Sequence, residues 1–183
     1  MKTRLAVFAV AAALAAGAAW AQKPPIRTGV DATFAPHAMP RLGGGLEGFN
    51  VELGREIGRR LDRVIEIDGT EFSALIPGMN AKKYDFVLAP TPATPERAKQ
   101  MVLSEGYMET AYRFLQKKGD KPISGLDDLK GKTLSINKGS AYETWARQNA
   151  EKHGFKFDVY GTNADAVQAV LSGRADANLS GHT

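Results

Sequence analysis

Apolar and polar positions along this chain follow two periods, and the switches between them mark out its elements. Ile26 to Val30 reads as a short strand, and the glycine-rich residues 41–48 that come later read as a loop. Across residues 49–61, Val51, Leu53, Ile57 and Leu61 recur close to helical spacing with charges opposite them, which predicts a helix. "VIEID" (64–68) is then a strand, "FSALIPGMNAKK" (72–83) a helix and "YDFVLA" (84–89) a strand. Strand, helix, strand implies a parallel sheet with crossover helices, and so an α/β fold.

The rhythm returns after "AYRFLQKKG" (111–119). A short helix and turn over residues 123–132 precede a strand at 133–137, a helix at 140–154, a strand at 155–160, a helix at 163–174 and a strand at 175–180. No repeated sequence accompanies it, which favours two similar lobes over a solenoid. The expected division is a first lobe over 22–112 and a second over 113–183. In parallel sheets ligands bind beyond the carboxyl ends of the strands, so the loops after Val30, Asp68 and Leu88 are the places to search.

The first 21 residues stand apart. Lys2 and Arg4 precede an alanine-rich apolar run that ends in Ala19-Trp20-Ala21, the small-x-small form of a signal-peptidase site. The run is barely long enough to span a membrane, and no second hydrophobic segment follows, so an export signal at 1–21 is expected rather than an anchor. With no cysteine there is neither a disulfide framework nor a lipid-attachment point, and a soluble periplasmic protein is predicted. The chain's net charge of +4 includes Lys2 and Arg4, and without them the excess is only +2. Charges of both signs alternate, which argues against a nucleic-acid partner.

Candidate chemistry begins in "APTPATPERA" (89–98). Thr94 suits a helix cap and Pro95 the first helical position, which puts Arg97 in the first turn, the wrong end of the dipole for a cation. A salt bridge to Glu96 or Glu105 is one explanation, and an anion sharing the site is the other. "NKGSAYETW" (137–145) sets Ser140 at a helix start with Glu143 three residues on, a capping pattern whose free N–H groups also suit an anion. Phe34 and Phe72 lie in loops after strands and offer either core or an apolar wall. Asp31 and Glu71 nearby are solvated charges or partners for a cation.

Little points to catalysis. His37, His153 and His182 lack metal-ligand spacing, and no nucleophile elbow or phosphate-binding glycine fingerprint occurs. His37 with Glu71 is the weak acid/base pairing that remains. No metal or cofactor is expected.

The stretches "IRTGVDATFAPHA", "LEGFNVELGREIGRRL", "FSALIPGMNAKKYDFVLAPTPATPERA", "LKGKTLSINKGSAYETW" and "VLSGRADANLSGH", in this order, strongly resemble the periplasmic amino-acid-binding proteins of ABC importers, family 3 of the bacterial extracellular solute-binding proteins. The resemblance implies two α/β lobes, the type II periplasmic binding protein fold, closing on a ligand and delivering it to an inner-membrane ABC permease, with no enzymatic activity. It also implies that Arg97 grips a ligand carboxylate and that Ser140 and Ala141 add donors. Phe34 and Phe72 would sandwich the ligand, and Asp31 would read a polar ligand group. Beside these, Thr91 and Glu71 are candidate ligand-binding residues. Asn50 stands where the family pattern has an acid. Pro92 replaces a Ser or Thr that donates to the carboxylate, and Gly181 falls where an acid usually holds the ligand ammonium. The family pattern further includes a return of the chain to the first lobe, so the second lobe is expected to be truncated here. Either Asp31 or Glu71 makes up for the acid missing at Gly181, or the ligand is a carboxylate other than an ordinary amino acid. An exported enzyme of the same fold, resembling cyclohexadienyl dehydratases, and a sensor-type ligand domain are the further alternatives.

Overall fold

The structure, a computed structural model, describes residues 23–182. The export signal expected at 1–21 lies outside the described residues. β1 (Ile26–Asp31) is the centre of the first sheet, flanked in parallel by β4 (Ile65–Thr70) and β5 (Phe86–Val87). Its last four residues, Thr28 to Asp31, are all buried, as a strand covered on both edges and faces requires.

The residues predicted as a glycine-rich loop form a small antiparallel hairpin instead. β2 (Met39–Pro40) pairs with β3 (Leu46–Glu47), and Gly43, Gly44 and Gly45 all take positive φ in the turn between them. Two-residue strands carry too little periodic signal to be seen in sequence.

α1 (Phe49–Leu61) has the predicted bounds. Val51 is fully buried, and half-buried Leu53 and Ile57 pack with it against Val30, Ala38 and Leu88. Leu61 departs from the expected apolar face and is half exposed, because it is the last helical residue before Asp62 turns the chain with φ 51°.

α2 (Phe72–Asn80) ends three residues earlier than its sequence suggests, where Lys82 adopts φ 61°. Tyr84 does not extend β5. Its ring packs with Phe72, Leu75 and Ala89, while its hydroxyl donates to Asp68 Oδ2 at 2.6 Å. α3 (Pro95–Ala98) is a single turn.

The second sheet runs β6 (Tyr112–Leu115), β9 (Ala177–Gly181), β7 (Thr133–Asn137), β8 (Lys156–Tyr160). β7 is parallel to both neighbours, and β6 is antiparallel to β9. β6 is a largely exposed edge, so its sequence lacks the alternation that would announce it. α4 (Ala141–His153) and α5 (Asn163–Leu171) cross between its parallel strands, and a short 3-10 helix (Leu126–Leu129) precedes β7. Leu129, Leu134, Ile136, Phe155 and Leu179 form its core. Two α/β modules therefore occur in one chain, the first on a parallel sheet and the second on a mixed one, and the carboxyl ends of their parallel strands carry the loops described next.

Candidate functional site

The site is assembled at strand ends. Asp31 is the last residue of β1 and Asn137 the last of β7. Asn137 donates its side-chain amide to Asp31 Oδ2 at 3.0 Å, and both residues are buried. The other Asp31 oxygen accepts from the Thr33 backbone N–H at 3.0 Å and the Thr33 hydroxyl at 2.8 Å. That hydroxyl in turn accepts from the N–H of Asn163, at the start of α5, at 3.1 Å. One turn after β1 is thus bonded to two loops of the second sheet.

A cavity of about 30 Å³ opens beside this junction. Asp31, Phe34 and Phe72 line it from the first module, with Pro90 and Pro92 from the loop after β5. Asn137, Ser140, Ala141, Tyr142, Asn163 and Ser180 line it from the second. This volume suits water and is too small for an amino acid. A ligand of that size enters only if the two modules part and the bonds between them exchange.

Arg97 stands behind the lining residues, not among them. Its buried guanidinium donates to the Pro92 carbonyl at 3.0 Å and, at a long 3.5 Å, to the Gly139 carbonyl, and its carbon lies 5.5 Å from the centre of the Phe72 ring. Among the described residues it has no carboxylate partner, so the bridge to Glu96 or Glu105 does not form. Burial lowers its pKa from the ordinary value, yet a guanidinium stays charged at any physiological pH. Thr94 caps α3 as its sequence suggests, accepting from the Arg97 N–H at 3.3 Å.

Ser140 caps α4. Its hydroxyl accepts from the Glu143 N–H at 3.2 Å and donates to the Asn137 carbonyl at 2.7 Å, while the Glu143 carboxylate accepts from the Gly139 N–H at 2.7 Å. The N–H groups of Ala141 and Tyr142 open the helix ahead of its first internal bonds, at the cavity wall.

The remaining residues singled out in the sequence lie apart from the cavity. The Thr91 hydroxyl turns back to the Ala89 carbonyl at 3.0 Å. Glu71 precedes α2 as an exposed residue, with Ser73 at 3.5 Å. His37 is buried and stacks on Phe34 with 5.1 Å between ring centres. Its Nδ1 lies 3.0 Å from Asn50 Oδ1, and because the Asn50 amide donates to the Tyr107 hydroxyl at 3.1 Å, Nδ1 carries the proton. His37 and Glu71 are therefore not brought together as an acid/base pair. Among the described residues no group of His, Asp and Glu is arranged to hold a metal, and no helix is long and apolar enough to cross a membrane.

Gly181 ends β9 opposite Tyr112. A side chain there would begin on top of the Tyr142 hydroxyl and 2.6 Å from Thr110 Oγ1. Burial raises the Tyr142 pKa, so the group that occupies this space is a neutral phenol. Sequence reasoning missed Asn137, Tyr142, Asn163 and Ser180. Asn137 was within reach, since it closes a parallel strand at the end where ligands gather.

Comparison with known proteins adds to this geometry. A family model described as bacterial extracellular solute-binding proteins, family 3, matches residues 26–145. The chain is 34% identical over 157 residues to the arginine-binding extracellular protein ArtP of Bacillus subtilis (strain 168), covering 86% of this chain and 61% of that one. It is 31% identical over 180 residues to the lysine/arginine/ornithine-binding periplasmic protein of Escherichia coli (strain K12), covering 97% of this chain and 69% of the relative. Its fold matches that of an ancestral arginine-binding protein bound to arginine with a TM-score of 0.82 and 32% identity, over 87% of this chain and 71% of that chain. The chain therefore spans between about three fifths and seven tenths of the length of these relatives.

Proposed function

This chain belongs to the bacterial extracellular solute-binding proteins, family 3, with their two-lobed type II periplasmic binding protein fold, and from that we propose that it captures a small carboxylate ligand of the amino-acid class between its two α/β modules and presents it to an inner-membrane ABC permease. The supporting observation is Arg97, a buried guanidinium at the junction of both modules whose donors meet only backbone carbonyls, one from each side. A carbonyl offers such a cation no neutralising charge, whereas a carboxylate matches its fork with two parallel bonds. Phe72 against its face, Phe34 across the cavity and the α4 N–H groups at Ala141 and Tyr142 would complete the enclosure. The Bacillus subtilis and Escherichia coli relatives are extracellular and periplasmic binding proteins by their names, which supports a periplasmic location for this one.

Thr91 and Glu71, candidates from the sequence, lie outside the cavity and carry no role in this reading. Binding without turnover is the activity proposed. An acid/base pair for the dehydratase alternative is not assembled, since His37 is engaged with Asn50.

The test is calorimetric titration of the purified chain with the twenty L-amino acids, repeated with Arg97→Ala. Saturable binding of at least one amino acid, lost in the variant while its circular dichroism is unchanged, is the expected result. No binding by any of them, or unchanged affinity in the variant, would sink the proposal.

A further inference from the structure

Among the described residues three buried side-chain atoms lack a hydrogen-bond partner, and one of them, Asn137 Oδ1, belongs to a residue that lines the cavity. The other two, His37 Nε2 and Asn178 Oδ1, do not. Asn137 is held in place by more than burial, because it ends β7 and its carbonyl accepts from the Ser140 hydroxyl at 2.7 Å. A buried acceptor left without a donor is costly, and at a cavity wall it marks where a donor belongs.

A side-chain amide can ordinarily turn over to suit either a donor or an acceptor, but this one cannot. Its nitrogen donates to Asp31 Oδ2 at 3.0 Å, and turning it would set oxygen against a carboxylate oxygen. Asn137 therefore offers the cavity an acceptor only. Asp31 adds another, since the Thr33 N–H and hydroxyl and the Asn137 amide fill three of its carboxylate's roughly four acceptor positions. None of the side chains lining the cavity is cationic, and Arg97 behind them is committed to the ligand carboxylate in the reading above.

Resting on that carboxylate reading, we propose that Asn137 Oδ1 and the Asp31 carboxylate, one acceptor from each module, together receive a ligand nitrogen bearing at least two N–H bonds, and that the site excludes acidic amino acids. An ammonium, guanidinium or primary amide donates to both acceptors at once and so ties the two modules together. A second carboxylate in the same place would set lone pairs against lone pairs and a negative charge beside Asp31, which burial makes strongly unfavourable. Placed elsewhere along the cavity wall, it meets no cationic side chain.

Calorimetric titration of the native chain with the twenty L-amino acids reads the exclusion directly. L-Aspartate and L-glutamate are expected to bind at least tenfold more weakly than the best ligand. Either acid within tenfold of the best ligand overturns this inference and leaves the carboxylate reading standing, whereas silence from all twenty overturns that reading and this inference with it. A second titration, of the best ligand into Asn137→Leu and Asn137→Asp, separates the acceptor from the bond to Asp31. Both variants lose the amide donor, and only the leucine variant lacks an acceptor. The leucine variant is expected to bind at least tenfold more weakly than the native chain, and the aspartate variant to recover at least fivefold of that loss. A leucine variant that binds as well as the native chain, or equal affinities in the two variants, would confine Asn137 to holding Asp31 and overturn its part in the subsite. Where a variant lacks a cooperative thermal transition, the titration of the native chain decides alone.

Discussion

The Asn137 side-chain amide donates to the Asp31 carboxylate at 3.0 Å, joining the carboxyl end of β7 to that of β1 across the junction of the two modules. Both residues are nearly inaccessible, Asn137 at 7% and Asp31 at 3%. A hydrogen bond to a buried charge is worth about 1.5–3 kcal/mol, more than most neutral pairs. Asn137→Ala is therefore expected to lower stability by about that amount in urea denaturation. Leaving stability within a few tenths of a kcal/mol would mean that water replaces the amide and that the modules are already free to separate.

Arg97→Ala should weaken ligand binding at least a hundredfold, about 2.8 kcal/mol at 1.4 per decade. Arg97→Lys keeps the charge but not the two-pronged geometry, and should recover only part of the loss. Calorimetry on both variants checks this. Full affinity in the lysine variant would show that charge alone suffices.

His37 gives the fold a pH dependence of known sign. Burial is the larger effect and lowers its pKa below the ordinary 6.5, while the Asn50 hydrogen bond opposes it. The unfolded chain therefore takes up this proton first as pH falls. Its contribution to stability is intact above about pH 6.5 and is lost as pH drops through the lowered folded pKa. Thermal melts between pH 8 and pH 4.5 should show this decline, and a His37→Gln variant should show less of it. Parallel curves for the two proteins would assign the acid sensitivity elsewhere.

Gly48, immediately before α1, has φ 124°, and a side chain there would meet the backbone carbonyl oxygens of His37 at 2.5 Å and Pro36 at 2.7 Å. Backbone cannot yield as a flexible side-chain end can, so both the dihedral and the contact oppose substitution. Gly48→Ala should cost more than about 2 kcal/mol. Chemical denaturation measures it, and a loss below 0.5 kcal/mol would show that the hairpin of β2 and β3 shifts to make room.

Much of the fold was legible because its signals are local. The apolar spacing in residues 49–61 predicted α1 to the residue, and Thr94 and Ser140 act as the caps their positions suggested. The glycine-rich stretch failed as a loop because two short strands were hidden on either side of it. β6 was not seen because an exposed edge strand has no apolar alternation to display. At the site, Asp31, Phe34, Phe72, Ser140 and Ala141 do line the cavity, Arg97 stands behind them, and Thr91 and Glu71 turn away.

The sequence by itself determined the elements, their parallel order and the candidate residues at the strand ends, since backbone sterics and apolar periodicity act over a few residues. Only the tertiary structure decided which of those ends meet. Asp31 and Asn137 are separated by 106 residues, and nothing in either segment announces the other. The Tyr142 hydroxyl takes the space beside Gly181 because α4 and β9 share one core, the cluster that contains Ala146 and Leu179 and against which Tyr142 packs. Proximity of that kind follows from burying apolar surface across the whole module, a collective effect that no local pattern encodes.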